Sequence, residues 1–421
     1  MRLPLAAAII AAAIPIAAGA ATPPPGSLVK IACTASSDVN DPCRAVYYYG
    51  GDGRRHAFPH EKVYFTWYPD FSAVQTVSAP FMASLPLGKN VTPRPGVRLV
   101  KFLTDPRTYA VALGGTLRWV AGEPAATSLY GADWNAKVDD LSDASFGDYR
   151  FGPDITGPSD FGRAGETAAA PTIDDDLPST HRSLTVHTGG GSFKIELVKL
   201  QKDRYRMITG TGDGRDCGGP CAAKDLAAYA AAANAETGIH GSYFCPPDYA
   251  DCAAKVNTFL SPFFDSPARA MVNAGSLVVH DGPMLAYSAD GQYRYFHRTK
   301  DFGGSVAAFE TSRATTLEAA ASNYPSLIEN GNVVVTGESR LDDGMKTAKG
   351  VRGGIGTDDR FVYLVIARGA TVPDLADIMK SLGAKDALNL DGGGSAALWY
   401  GGKYVFGPGR LLPNAVLFAP R

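Results

Sequence analysis

From Phe361 to Ala367 the chain reads FVYLVIA, an apolar run without a polar break. Such a run predicts a strand buried on both faces. The next segment, VPDLADIMKSLG, changes period. Leu375, Ile378, Met379 and Leu382 fall on one stripe, Pro373 stands near the start and Gly383 stops it, which predicts a helix. DALNLD then returns to strict alternation, with Leu388 and Leu390 on one face and Asn389 and Asp391 on the other. Upstream, SLTVHTGGGSFKIELVKL reads as a hairpin. AKDLAAYAAAANA (Ala223 to Ala235) reads as a helix by propensity, and GIHGSYF as a strand or strand end. SAALWYGGKYVF reads as a hairpin turning at Gly401-Gly402.

The first part of the chain is patterned differently. It is rich in Tyr, Phe and Trp, with short alternating runs such as VYFTWY and RTYAVAL. RTYAVAL and TLRWV form a hairpin about Gly114-Gly115, and a short helix is expected near Pro124 to Tyr130. GRAGETAAAPTIDDDLPST, Gly162 to Thr180, is small, acidic and Pro-containing without apolar period, and reads as a linker. The expected organisation is a signal peptide over 1–20, a spacer over 21–27, a small aromatic-rich accessory domain over 28–161, a linker over 162–182 and a larger domain over 183–421. The fold class is α+β: a mixed-sheet larger domain with flanking helices, preceded by a small β-rich one.

Composition narrows the function classes. Forty-two acidic residues against 40 basic ones leave a formal net charge of -2, with no basic stripe, which speaks against a nucleic-acid partner. Arg2 followed by the apolar stretch Leu3 to Ala18 and the small residues Ala18-Gly19-Ala20 fits a cleaved export signal; an uncleaved anchor is the alternative. No later stretch is apolar enough to span a membrane. Six cysteines lie in close pairs: Cys33 and Cys43, Cys217 and Cys221, Cys245 and Cys252. An even count in an exported chain favours disulfides, with pairing inside each couple the simplest arrangement. The alternative is a zinc site from the last four, although neither spacing is the two-residue knuckle. No metal or other cofactor is expected.

Asp391 is followed by Gly392, Gly393, Gly394 and Ser395. Glycines without Cβ atoms let their N–H groups approach a ligand, and consecutive N–H groups make an anion-binding concavity. The stretch lacks the Lys of a P-loop and the following helix of a dinucleotide turn. A plain glycine turn between strands is the bland alternative.

NLDGGGSAAL, with RLLPNAVLF downstream, resembles the phosphodiester glycosidase family. GIHGSYF, GSLVVHDG, SLIENGNVV and VRGGIGTDDRFVYLVI resemble further family pieces in order, the middle two as strand-turn elements. His240 stands where the family usually has Asn. The resemblance, from about Ser183 to Arg421, implies a hydrolase that cuts the anomeric C1–O bond of sugar-1-phosphodiesters in envelope or extracellular glycans. It implies Asp391 as the reacting carboxylate, Arg352 as a phosphate clamp and His240 as a donor or proton shuttle. Asn389, Gly392, Gly393, Gly394 and Ser395 would bind substrate. Glu329, Asp342 and Asp343 are candidates for a second carboxylate. Alternatives on the same fold are a non-catalytic glycan- or peptidoglycan-binding protein and a phosphodiesterase cutting the phosphate side. Secretion or a periplasmic location follows from the signal.

Overall fold

A computed structural model describes residues 22–34, 38, 41–338 and 340–421. The expected signal peptide lies outside the described residues. Among the described residues, no helix is long and apolar enough to cross a membrane.

The protein is α+β. Residues 27–151 form two small sheets. One has four strands, ordered Arg55–Ala57, Tyr47–Tyr49, Ser27–Ile31 and Val74–Val77; the other has five, ordered Val138–Leu141, Leu99–Phe102, Tyr109–Ala112, Thr116–Trp119 and Arg150–Phe151. The Gly114-Gly115 hairpin and a helix at Glu123–Tyr130 are both present. VYFTWY differs from expectation: all but its last residue lie in the helix Glu61–Trp67. Val63, Tyr64 and Trp67 share a helical face packed into a local core with Phe58 and Tyr68. A short run of aromatic and β-branched residues suits either period, and packing decides.

The rest of the chain is built on three sheets. The largest is seven-stranded, in the order Ser179–Thr188, Gly191–Gln201, Phe361–Ala370, Gly350–Thr357, Asp386–Gly392, Ser326–Glu329 and Asn332–Val333. FVYLVIA lies near its middle and is buried on both faces. Val362, Leu364 and Ile366 enter the core shared with the other sheets, while Tyr363, Val365 and Ala367 enter a core covered by the helix Val372–Ser381. That helix buries Leu375, Ile378 and Met379, and a Thr371–Asp374 capping box satisfies its first turn.

A five-stranded sheet packs on the opposite side, in the order Tyr205–Thr211, Asn414–Pro420, Thr237–His240, Leu398–Tyr400 and Lys403–Phe406. The third sheet holds Ala270–Val272, Phe263–Asp265, Leu317–Ser322, Met284–Ser288 and Tyr293–Phe296. Leu388 and Leu390 join the shared core with Ile239, Val416 and Phe418. Two strands therefore end side by side near the seam of the first two sheets: Thr237–His240 and Asp386–Gly392.

Three local outcomes bear on the sequence reading. The cysteines pair within each couple, 33–43, 217–221 and 245–252, as disulfides and not as a metal centre. GSLVVHDG is not a strand: Ala274–Leu277 is a 3-10 turn, and Val278 and Val279 remain exposed outside any ladder. Gly162–Thr180 is not an open spacer. It carries helices at Arg163–Ala169 and Ile173–Asp176, and Asp174, Asp175 and Asp176 are buried.

Each of those aspartates has found partners. Asp174 accepts the Gly51 N–H at 2.8 Å, Asp175 pairs with Lys199 at 2.9 Å, and Asp176 accepts the Gly114 N–H at 2.6 Å and the Thr92 hydroxyl at 3.0 Å. Glu166 holds Arg360 through both oxygens, at 2.8 and 3.0 Å. The acidic stretch thus fastens the two small sheets of residues 27–151 to the rest. Acid-rich composition signalled solvation, but buried carboxylates are tolerated where donors meet them.

Candidate active site

Asp391 stands at the rim of the seven-stranded sheet, one residue before its strand ends. Its backbone N–H donates to Gly241 O at 3.0 Å, which ties the ends of the two strands together. The side chain is half-buried. Its Oδ1 accepts the Gly392 N–H at 2.8 Å, and the Ser395 hydroxyl also donates to the carboxylate. Desolvation by the surrounding protein pushes its pKa above the ordinary carboxylate range, opposed by the Ser395 hydroxyl, the Gly392 N–H and Arg410.

Of the three glycine N–H groups, the first is therefore turned onto Asp391 itself. Gly393 and Gly394 are exposed, and Gly393 has a φ of +56°, a conformation that favours glycine. Ser395 is buried beneath the turn.

His240 is wholly buried, below the rim. Its Nε2 lies 2.6 Å from the main-chain oxygen of Asp391, so that nitrogen carries the proton and donates. Its Nδ1 faces both the Ala397 main-chain oxygen, at 3.2 Å, and the Ala397 N–H, at 3.3 Å, and in the neutral ring it accepts from the N–H. Burial lowers its pKa, and the ring is neutral. Both nitrogens are thus spent on backbone. Gly353, on the adjacent strand, leaves room for the ring, because a Cβ there would overlap it.

Asn389 is also wholly buried. It shares Asp391's strand parity but faces protein: Nδ2 donates to the Tyr243 hydroxyl at 2.6 Å and to Tyr324 O at 3.0 Å. Its Oδ1 has no hydrogen-bond partner among the described residues. Arg352 pairs across the ladder with Gly392. Its guanidinium donates to Ala348 O at 2.6 Å and Ala370 O at 3.2 Å, and it makes no ion pair with Asp391.

The cation nearest the glycine turn is one that sequence reading passed over. Arg410 donates its backbone N–H to Gly394 O at 2.9 Å, and its Nη2 would lie 2.6 Å from a Cβ on Gly394. Asp248 holds that guanidinium at 3.1 Å from within the loop closed by Cys245–Cys252. A cavity of about 260 Å³ opens beside Tyr243, lined further by Tyr324, Phe259, Lys255, His280 and Arg340. Arg340 lies 4.6 Å over the Tyr324 ring. His280 is pushed down to about 4, by burial first and by Arg340 second.

Asp391 is thus a half-buried carboxylate beside a bare glycine turn, with the Arg410 guanidinium against that turn. Residues 250–419 match the phosphodiester glycosidase family. The matched span holds Asp391, Arg352 and Arg410, and begins after His240 and Tyr243. No curated protein matches the chain. Among solved structures, a hypothetical protein from Synechocystis aligns with a TM-score of 0.42 at 15% identity, covering 58% of this chain and 62% of that one. The chain thus spans less than two thirds of that protein. The zebrafish N-acetylglucosamine-1-phosphodiester alpha-N-acetylglucosaminidase catalytic domain, auto-inhibited by its pro-peptide, aligns at 0.42 and 14% identity, covering 58% and 83%.

The other acids considered for a phosphodiester glycosidase reaction lie in different settings. Glu329 is 2.7 Å from Arg298, Asp342 caps the helix Asp343–Thr347, and Asp343 is exposed. Tyr243 and Arg410 lie within GIHGSYF and RLLPNAVLF, but nothing local in those segments marks either as a site residue. One follows a strand and the other precedes one, and each is brought to the turn only by the packing of the two sheets.

Proposed function

We propose that the protein is an exported hydrolase that cleaves the anomeric C1–O bond of sugar-1-phosphodiesters in envelope or extracellular glycans. The observation that carries this reading is the setting of Asp391. Its carboxylate is desolvated, held by the Ser395 hydroxyl and the Gly392 N–H, and has the Arg410 guanidinium beside its turn.

The transition state of such a reaction is oxocarbenium-like at C1, with negative charge growing on the departing phosphate. Asp391 stabilises the sugar cation, either activating water or attacking C1 directly. The C1–O electron pair leaves with the phosphate, and water supplies the new oxygen on C1, giving a free sugar and a phosphomonoester. Phosphate leaves readily, so the larger need is donors for the anion. Arg410 and the exposed Gly393–Gly394 backbone serve that need, with Arg352 bracing the adjacent strand end. His240 acts on the reaction through Asp391, by fixing the main chain from which the carboxylate springs. The three disulfides suit an exported enzyme.

The test is turnover of a panel of nitrophenyl sugar-1-phosphodiesters in ¹⁸O-labelled water, with products weighed by mass spectrometry. Label in the sugar supports C1–O cleavage. Label in the phosphate makes the protein a phosphodiesterase, and no turnover leaves only binding.

A further inference from the structure

The Tyr243 cavity has a chemistry that the reaction at Asp391 leaves unused. One wall is the segment that follows the Cys245–Cys252 disulfide, and it is firmly held. Cys245 N–H donates to Thr258 O at 2.9 Å, and Asn257 N–H donates to Cys245 O at 2.7 Å. Lys255 and Arg340 line the cavity, and no Asp or Glu does. Neither cation has an ion pair among the described residues. Arg340 is instead set in place by the Tyr324 ring, 4.6 Å beneath its guanidinium. Asp281, the residue after His280, is 3.4 Å from Arg298 and is occupied there.

Two hydroxyls in the lining add further donors. Tyr324 O can only accept, which fixes the Asn389 amide with Nδ2 toward it; the second N–H of that nitrogen goes to the Tyr243 hydroxyl. Tyr243 therefore accepts from Asn389, and its own proton has no acceptor among the described residues. Burial first, and the Asp391 charge second, push that hydroxyl well above its ordinary range, so it stays a neutral donor. Ser261, buried in the lining, is in the same position. His280 Nδ1 accepts the Gly282 N–H at 3.2 Å, so in the neutral ring Nε2 carries the proton and donates to Ser261 Oγ at 3.1 Å. The Ser261 proton is left over. The lining thus offers two unopposed cations and two O–H donors.

We propose that this cavity is an anion site that takes a phosphate monoester bearing a small apolar substituent. The phosphoryl oxygens accept from Arg340, Lys255 and the Tyr243 and Ser261 hydroxyls. A monoester carries about two negative charges at neutral pH, which match two unpaired cations. The substituent lies against half-buried Phe259 and against Leu260, which is 78% exposed at the rim. A volume of about 260 Å³ limits the ligand to a small one. The site is separate from the glycine turn: Arg410 is not among its lining residues, and Asp248 already offsets that guanidinium. It stands apart from the hydrolase reading and does not rest on it.

Isothermal titration calorimetry at pH 7.5 tests this with phenyl phosphate, inorganic phosphate and benzyl alcohol. Wild type, Arg340→Gln, Lys255→Gln and Arg410→Gln are compared, with folding checked by melting curves. Phenyl phosphate should bind wild type more tightly than inorganic phosphate, and benzyl alcohol should not bind. Arg340→Gln and Lys255→Gln should each weaken phenyl phosphate about tenfold, while Arg410→Gln holds it within about twofold. Absence of phenyl phosphate binding overturns the proposal. So does an equal affinity for either of the other probes. A loss in Arg410→Gln with Arg340→Gln unaffected also overturns it, and places the anion at the glycine turn. No turnover enters the measurement, so failure of the hydrolase reading leaves its outcome unchanged.

Discussion

The imidazole of His240 donates from Nε2 to the main-chain oxygen of Asp391 over 2.6 Å, linking the end of one sheet to the rim of another. Since Nδ1 faces the Ala397 N–H, the ring is fixed at both nitrogens. Replacing His240 with Ala leaves the Asp391 carbonyl and the Ala397 N–H without these partners. Stability should fall by about 1–3 kcal/mol in denaturant melts. A positioning role further predicts that kcat falls while KM is preserved and the pH–rate limbs stay in place. A catalytic His would shift a limb.

Gly353→Ala tests the same joint from the opposite strand. A methyl group there meets the His240 ring, and the neighbouring Asp391 carbonyl leaves the ring no free direction. The expected cost is about 1–3 kcal/mol, read as a lowered melting temperature. The effect should largely vanish in a His240→Ala background, since the overlap is with the ring.

Asp176 gives a prediction about pH. Burial pushes its carboxyl up to about 6, against the favourable Gly114 N–H and Thr92 hydroxyl; Glu166 raises it further and Arg204 opposes. A carboxyl with a raised native pKa contributes stability that is present below its unfolded value and lost as pH rises through about 6. The ionised form therefore costs the protein about 2–3 kcal/mol at neutral pH. Asp176→Asn keeps an acceptor for Gly114 and lets the Thr92 hydroxyl reverse. Its melting temperature should exceed wild type at pH 7.5, with the difference gone near pH 4.

Arg410 is expected to matter for both charge and anion binding. Arg410→Gln removes a guanidinium that favours ionised Asp391. The acid limb of kcat/KM, already above the ordinary carboxylate range, should move further up. kcat/KM at neutral pH should fall about ten- to a hundredfold. Pre-steady-state turnover across pH separates the two effects.

Much of the larger domain was legible because its patterning is extreme. FVYLVIA, the stripe from Leu375 to Met379 and the alternation around Asn389 each fit a single period, and the Val372–Ser381 helix and Asp386–Gly392 strand formed as read. The place of Asp391, at a strand end beside a glycine turn, was legible from the alternation and the three glycines. The contacts of its neighbours were not. Alternation places Asn389 with Asp391 but cannot say that Tyr243 and Tyr324 cover the amide. A lone His between glycines reads alike as donor or strut, and only its two backbone partners distinguish them. Arg410 opens the segment RLLPNAVLF, yet its approach to Gly394 depends on a return loop with no local signature. The acidic stretch at Asp174–Asp176 misled because charge reports the cost of burial and not the partners that offset it.

The most direct measurement is the turnover of Asp391→Asn on the best nitrophenyl glycosyl phosphodiester, at pH 7.5, beside its melting curve. The substitution preserves shape and removes the negative oxygen, whose ionisation the desolvated site resists. The account predicts a loss of kcat of about a thousandfold or more, with substrate affinity kept and a melting temperature no lower than wild type. Turnover within tenfold of wild type, in a protein equally folded, would contradict it.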